Sequence, residues 1–112
     1  MKKQEYIYKA RITGVYDGDT VTASIDLGFH VFLNNQTIRL AEIDAPELKG
    51  RERPRGLAVR DWLRRRLLDQ DVVIETIRDK KETYGRWLGK IWIGETCINE
   101  EMVAAGLVSR YG

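Results

Sequence analysis

The segment Arg39-Leu40-Ala41-Glu42-Ile43-Asp44-Ala45-Pro46-Glu47 sets an arginine inside an apolar, strand-like run that ends in an aspartate, a proline and a glutamate. Charge in such a run is expensive unless it is paired, metal-bound or used in chemistry. Two further islands carry the same mixture, Asp17-Gly18-Asp19-Thr20 and Tyr84-Gly85-Arg86. Taken singly, Asp-Gly-Asp and Tyr-Gly-Arg are turn sequences, and Arg39 is open to pairing with Glu42. Together they bring carboxylates and two arginines to strand ends. That mixture suits attack on an anionic phosphodiester, which needs its charge neutralised and the growing transition-state charge stabilised. Asp19 and Asp44 are hard oxygen donors suited to a divalent ion, Ca²⁺ or Mg²⁺. No cysteine or histidine cluster exists for zinc, and His30, the only histidine, is read as a strand or turn residue. The arginine fork matches phosphate and never loses its charge. Glu47 is suited to activate or orient a metal-bound water.

These residues need elements to hold them. Tyr6, Tyr8, Ala10 and Ile12 alternate with Lys9, Arg11 and Thr13, which predicts a strand over 6–15. After the Asp-Gly-Asp turn, Val21, Ala23, Ile25 and Leu27 alternate with polar residues, predicting a second strand that pairs back as a hairpin and ends at Gly28. Asn34-Asn35 signals another turn before a third strand over 37–43, with 29–33 extended. Ala45-Pro46 stops that strand. Pro54 opens a helix whose apolar stripe is Leu57, Ala58, Trp62, Leu63 and Leu67, ending near 68–70. A fourth strand over 71–78, a polar loop over 79–83 and a fifth strand over 87–93 follow. Asn99 reads as the N-cap of a short last helix, with Ile98 and Val103 as a hydrophobic staple and Gly106 as its stop. A mainly β fold with α (α+β) results: an OB-type five-stranded barrel, a helix between its third and fourth strands, and a short C-terminal helix. Arg39 and Asp44 stand on opposite faces of a straight strand, so they share a site only if the chain bends near 43–45.

The chain has 112 residues, 43% hydrophobic and 32% charged, the makeup of one soluble globular domain spanning 1–112. No apolar run approaches the roughly 20 residues of a membrane helix. The start is basic with no apolar segment behind it. The expectation is therefore a cytoplasmic protein, or a secreted one if a leader was trimmed. Cys97 is alone, which excludes an intrachain disulfide and fits a buried thiol. Net charge is +2, but 48–66 holds eight basic residues against Glu52 and Asp61. That patch points to an anionic partner such as nucleic acid, with a solvated helix face as the competing account.

The order and spacing of Val15-Tyr16-Asp17-Gly18-Asp19-Thr20-Val21, Ile38-Arg39-Leu40, Asp44-Ala45-Pro46-Glu47, Tyr84-Gly85-Arg86, Asn99-Glu100 and Ala105-Gly106-Leu107 resemble the thermonuclease (staphylococcal-nuclease-like) family, over about 6–107. The resemblance implies an OB-fold nuclease that uses Ca²⁺ to hydrolyse DNA and RNA with little sequence specificity, leaving 3′-phosphates. It implies Asp19, Asp44 and the Ala45 backbone carbonyl as calcium ligands, with Asp17 a second acidic position nearby. Glu47 becomes the base or water-ordering group, and Arg39 and Arg86 the phosphate clamps. Tyr84 matches a position beside the nucleotide, and Tyr111 stands for the family's later aromatic contact. The loop after Glu47, with Lys49 and Arg51, departs from the family in being arginine-rich, and these two residues are expected to contact substrate and change its grip. Position 45 is alanine where the founding member has threonine; a backbone ligand is indifferent to that change. Longer relatives add a C-terminal helix, so a monomer or a homodimer covering bare apolar surface is expected. Two other functions compete. A catalytically silent OB-type module binding nucleic acid or protein would be marked by a replaced Asp19, Glu47 or arginine, and none is replaced. A basic DNA-binding protein without metal leaves the carboxylates unexplained, since they repel DNA.

Overall fold

The computed structural model describes residues 6–111; the basic opening segment 1–5 and Gly112 lie outside the described residues. Strand β1 (Ile7–Asp17) leads through Gly18-Asp19 into β2 (Thr20–Asp26) and then β3 (Phe32–Leu40). A two-residue strand β4 (Ile43–Asp44), a 3₁₀ turn over Gly50–Glu52 and helix α1 (Arg53–Leu67) follow. Then come β5 (Asp71–Lys81), β6 (Trp87–Ile93), β7 (Thr96–Cys97), helix α2 (Ile98–Ala104) and β8 (Ser109–Arg110). The sheet runs β3-β2-β1-β5-β6-β7, and a parallel pairing of β3 with β6, Ile38↔Trp87 to Leu40↔Gly89, closes it. The five strands β1, β2, β3, β5 and β6 therefore form the OB-type barrel. No helix among the described residues is long and apolar enough to cross a membrane.

Alternation fills the barrel. Ile12, Val21, Ile38, Leu40, Ile74 and Ile91 are almost fully buried, and α1 adds Val59, Leu63 and Leu67. Each such aliphatic side chain contributes about 1.5–3 kcal/mol on burial. The phase of β1 slips between Ile12 and Gly14, where an irregularity in its pairing with β2 lets Val15 point inward after Ile12. The buried stripe of α1 is Gly56, Val59, Leu63 and Leu67, with Ala58 exposed, so the helix is rotated from the expected stripe. Gly56 explains the rotation: a Cβ there would overlap the Glu47 carbonyl, so only glycine lets this face approach the 44–47 segment.

Two local expectations, a turn and a helix cap, move. Asn34-Asn35 does not turn the chain; both residues lie inside β3, opposite an irregularity between Ala23 and Ile25. Asn35 has φ +58, so its tolerance of the left-handed region forms a bulge instead. The turn lies earlier, at Gly28–Val31, where the Val31 N–H donates to the Gly28 carbonyl at 2.9 Å. Asn99 is not an N-cap either. Helix α2 starts at Ile98 with Cys97 as its cap residue, and Asn99 is buried at 1% exposure. Gly106 does stop α2, with φ +73 and the Leu107 N–H bonded to the Met102 carbonyl at 3.0 Å. Cys97 is a buried free thiol.

Candidate functional site

In β3, Ile38 and Leu40 face the core at 1% and 0% exposure, so strand alternation turns Arg39 outward. Asp19 ends the β1–β2 turn. That turn is pinned by its own backbone: the Asp19 N–H donates to Asp17 Oδ1 at 3.0 Å, and the Leu40 N–H donates to the Asp19 carbonyl at 2.8 Å. Gly18 sits where a Cβ would meet Val59 Cγ1 at 2.7 Å and Ala45 Cβ at 2.8 Å. The tight contact draws the turn, α1 and the 44–47 segment together.

Arg39 and Asp44 do share a site. The bend that permits it comes earlier than expected, at Ala41-Glu42, where Glu42 has φ +67. Glu42 then points to Lys90 at 3.6 Å and does not pair with Arg39. Asn99 holds this bend. Its Nδ2 donates to the Ala41 carbonyl at 3.0 Å and to the Gly89 carbonyl at 3.3 Å, while its Oδ1 accepts from the Ile91 N–H at 3.1 Å. From the other side β8 pairs with β4, setting Asp44 opposite Ser109, and the Tyr111 N–H donates to the Glu42 carbonyl at 2.8 Å.

A chain of polar contacts crosses the site. Arg39 Nη2 lies 3.5 Å from Asp19 Oδ2 and 3.6 Å from Asp44 Oδ1, and Nη1 donates to the Leu40 carbonyl at 2.6 Å. Asp19, 8% exposed, also accepts from the Ala45 N–H at 3.0 Å and the Thr20 hydroxyl at 3.1 Å. The Thr20 hydroxyl in turn accepts from Arg86 Nη1 at 3.3 Å. Arg86 is gripped by Glu82: Oε1 accepts from Arg86 Nε at 2.9 Å and from the backbone N–H groups of Tyr84 and Arg86, and Oε2 accepts from Nη2 at 2.9 Å. This fork holds the Glu82 carboxyl down at about 2 and pushes the Arg86 guanidinium up. Burial beside the Asp19 carboxylate pushes Asp17 up to about 6.

Arg39, Asp44, Glu82, Arg86 and Tyr111 line one open cavity of about 530 Å³. Glu47 does not line it. Glu47 lies with Asp44, Ala45, Glu52 and Arg55 around a smaller cavity of about 90 Å³, so Asp44 is the residue common to both. Tyr84 is 83% exposed, with the Arg86 guanidinium 5.8 Å from its ring centre, and stands outside the cavity wall. Lys49 and Arg51 are exposed around the 3₁₀ turn and line neither cavity. Much of the basic patch has local work. Arg53, Arg55 and Arg64 donate to the carbonyls of Leu48, Gly106 and Val15, and Arg60 and Arg66 pair with Asp61 and Glu101.

Sequence reasoning missed Thr20, Glu82 and Asn99. Thr20 sat unremarked within the Asp-Gly-Asp-Thr island. Glu82 carried a signal in its spacing, four residues before Arg86 across a glycine turn. Asn99 was legible as a cap candidate and as part of the family pattern, but not as a clamp, because its partners are backbone groups of Ala41, Gly89 and Ile91 that no local pattern links to it.

Among the described residues, no three His, Cys, Asp or Glu side chains are grouped as a ready-made metal cage. The donor chemistry nevertheless fits a hard ion. Asp19 and Asp44 converge on one guanidinium nitrogen, Asp17 lies beside Asp19 alone, and all donors are oxygen. Arg39 balances that negative charge in this arrangement.

A model of the family described as staphylococcal nuclease homologue matches residues 37–112. The chain is 31% identical over 106 residues to the thermonuclease of Staphylococcus hyicus, which covers 92% of this chain and 58% of that protein. It is 30% identical over 96 residues to the thermonuclease of Staphylococcus intermedius, covering 83% and 54%. The chain thus spans a little over half the length of the curated relatives it matches.

Proposed function

The chain belongs to the family of staphylococcal nuclease homologues, and from that membership together with the site's geometry we propose that it is a nuclease, hydrolysing phosphodiester bonds of single-stranded DNA and RNA with little sequence specificity. The observation that carries the reading is the pair of arginines on one cavity wall with Asp19 and Asp44 beside them. Arg39 and Arg86 come from β3 and from the loop before β6, and both present guanidinium groups to the space where a phosphate fits. Each fork donates two hydrogen bonds to phosphoryl oxygens, and the loss of water around them strengthens that contact. The pairings with Asp19, Asp44 and Glu82 keep the forks ordered before substrate arrives, so less freedom is lost on binding.

Asp19, Asp44 and the Ala45 carbonyl would hold Ca²⁺, preferred over Mg²⁺ because a loose set of carboxylates, carbonyl and water suits its larger and more variable shell. When bound, such an ion polarises a phosphoryl oxygen and lowers the pKa of a bound water. Glu47 accepts the proton of the attacking water from the Asp44 side; the water oxygen bonds to phosphorus as the P–O5′ bond breaks, and the departing 5′-oxygen takes a proton from solvent, leaving a 3′-phosphate and a 5′-hydroxyl. Asp17 tunes the charge around Asp19, while Tyr84 and Tyr111 offer ring faces to bases at the cavity edge. Lys49 and Arg51 provide looser, salt-sensitive contact with the strand.

The test is cleavage of single-stranded DNA with excess chelator, then with calcium restored, beside Glu47→Gln. Cleavage that returns with calcium and is absent in the variant supports both the activity and the base. Well-folded protein that retains DNA without cutting it refutes the proposal and favours a silent binding module.

A further inference from the structure

The end of the barrel formed by the β2–β3 hairpin carries an apolar tip that the site does not use. Phe29 is 98% exposed, Val31 51%, Phe32 55% and Leu33 41%. The backbone makes this costlier. Phe29 and His30 are the central residues of the Gly28–Val31 turn, with φ +56 and +61. Asn-Gly or Gly-Gly belongs in such a turn, because other residues are strained there. A phenylalanine that is both strained and fully exposed contributes nothing to the isolated fold.

Two observations say what covers it. From Leu27 to Ile38 the chain has no Asp, Glu, Lys or Arg, although 32% of all residues are charged. Exposed sheet edges ordinarily carry lysine or proline to prevent association, and this one carries neither. In addition, β3 pairs with β6 from Ile38 to Leu40, so among the described residues its tip-side half has a strand neighbour, β2, on one side alone. Val31 is already bonded to Gly28 and Leu27 across the turn and the Asn34 carbonyl accepts from Gln36 Nε2, so the outward backbone groups are those of Phe32 and the Asn34 N–H, which a lipid surface could not match and a second strand could.

We infer that this tip is a homodimer interface, with Phe32 to Asn34 of two copies pairing antiparallel about a two-fold axis and Phe29 and Phe32 packing across it. Such a contact is isologous, so an uncharged segment meets its own copy without repulsion. The bulge at Asn35 ends the pairing and stops further strand addition. Asp44 and Arg86 lie near the opposite end of β3, beyond Arg39, so both sites stay open in the dimer.

Sedimentation equilibrium of the full chain across a wide concentration range tests this, with Phe29→Ser and Phe32→Lys as variants. The wild-type mass should rise from 13.0 kDa to twice that value. Each variant should need at least ten-fold higher concentration to associate, with unchanged melting of the dilute protein. Phe29→Ser alters a side chain with almost no intramolecular contact, so it remains decisive even if Phe32→Lys folds poorly. Wild-type protein that stays monomeric throughout overturns the inference. So does Phe29→Ser associating like wild type, or a monomer that instead co-sediments with phospholipid vesicles.

Discussion

Replacing Asn99 with serine separates two roles for one residue. A serine caps a helix as well as asparagine does, so an N-cap role predicts a change of a few tenths of a kcal/mol. The observed role is different. Asn99 is 1% exposed and joins three backbone groups, the Ala41 and Gly89 carbonyls and the Ile91 N–H. The Gly89 carbonyl keeps a second partner, the Ala41 N–H at 2.8 Å. The Ala41 carbonyl and the Ile91 N–H lose the side chain that satisfies them. A buried backbone group left unpaired costs roughly 1–3 kcal/mol, so Asn99→Ser should lose about 4 kcal/mol. In a domain of this size that lowers the melting temperature by about 15 °C. Urea unfolding followed by circular dichroism, with a check that the slope is unchanged, measures it. The Ala41 turn also orients Asp44, so cleavage should fall at temperatures where the variant is still folded. A loss below about 1 kcal/mol would refute the clamp and return Asn99 to a capping role.

Arg86→Lys should reduce kcat by about 100-fold with little effect on melting, because one charge replaces a two-pronged donor; near-full turnover would remove Arg86 from the clamp. The Glu82 carboxyl, held at about 2 by Arg86 against 4.5 when free, should titrate near 2 by carbon NMR. Its folded pKa is depressed, so the pair's stabilisation is present above about 4.5 and fades as the pH falls toward 2. Arg86→Gln should return the midpoint toward 4.5, and a wild-type midpoint already there would contradict the fork. Gly56→Ala, which raises helix propensity by about 1 kcal/mol, should still destabilise by about 1–3 kcal/mol, since its Cβ overlaps the Glu47 backbone. A more stable variant in thermal unfolding would show that the contact yields.

The local pattern alone determined a good deal. Alternation at Val21-Ala23-Ile25 and at Trp87–Ile93 placed strands where they stand, because side chains of a strand alternate between core and solvent. Pro54 and Gly106 marked a helix start and a helix stop through backbone restrictions that act within a few residues. The charged islands were legible because arginine and carboxylate in apolar runs demand compensation. Only the tertiary structure decided which compensation. Whether Arg39 turns to Glu42 or to Asp19 and Asp44 depends on a left-handed residue at Glu42. Asn99 holds that bend from a helix more than fifty residues away, and β8 holds it from the end of the chain. The turn chemistry of Asn34-Asn35 became a bulge because β2 supplied a pairing partner on that side. Propensity depends on a residue and its neighbours, whereas these outcomes depend on partners brought together when the barrel closes.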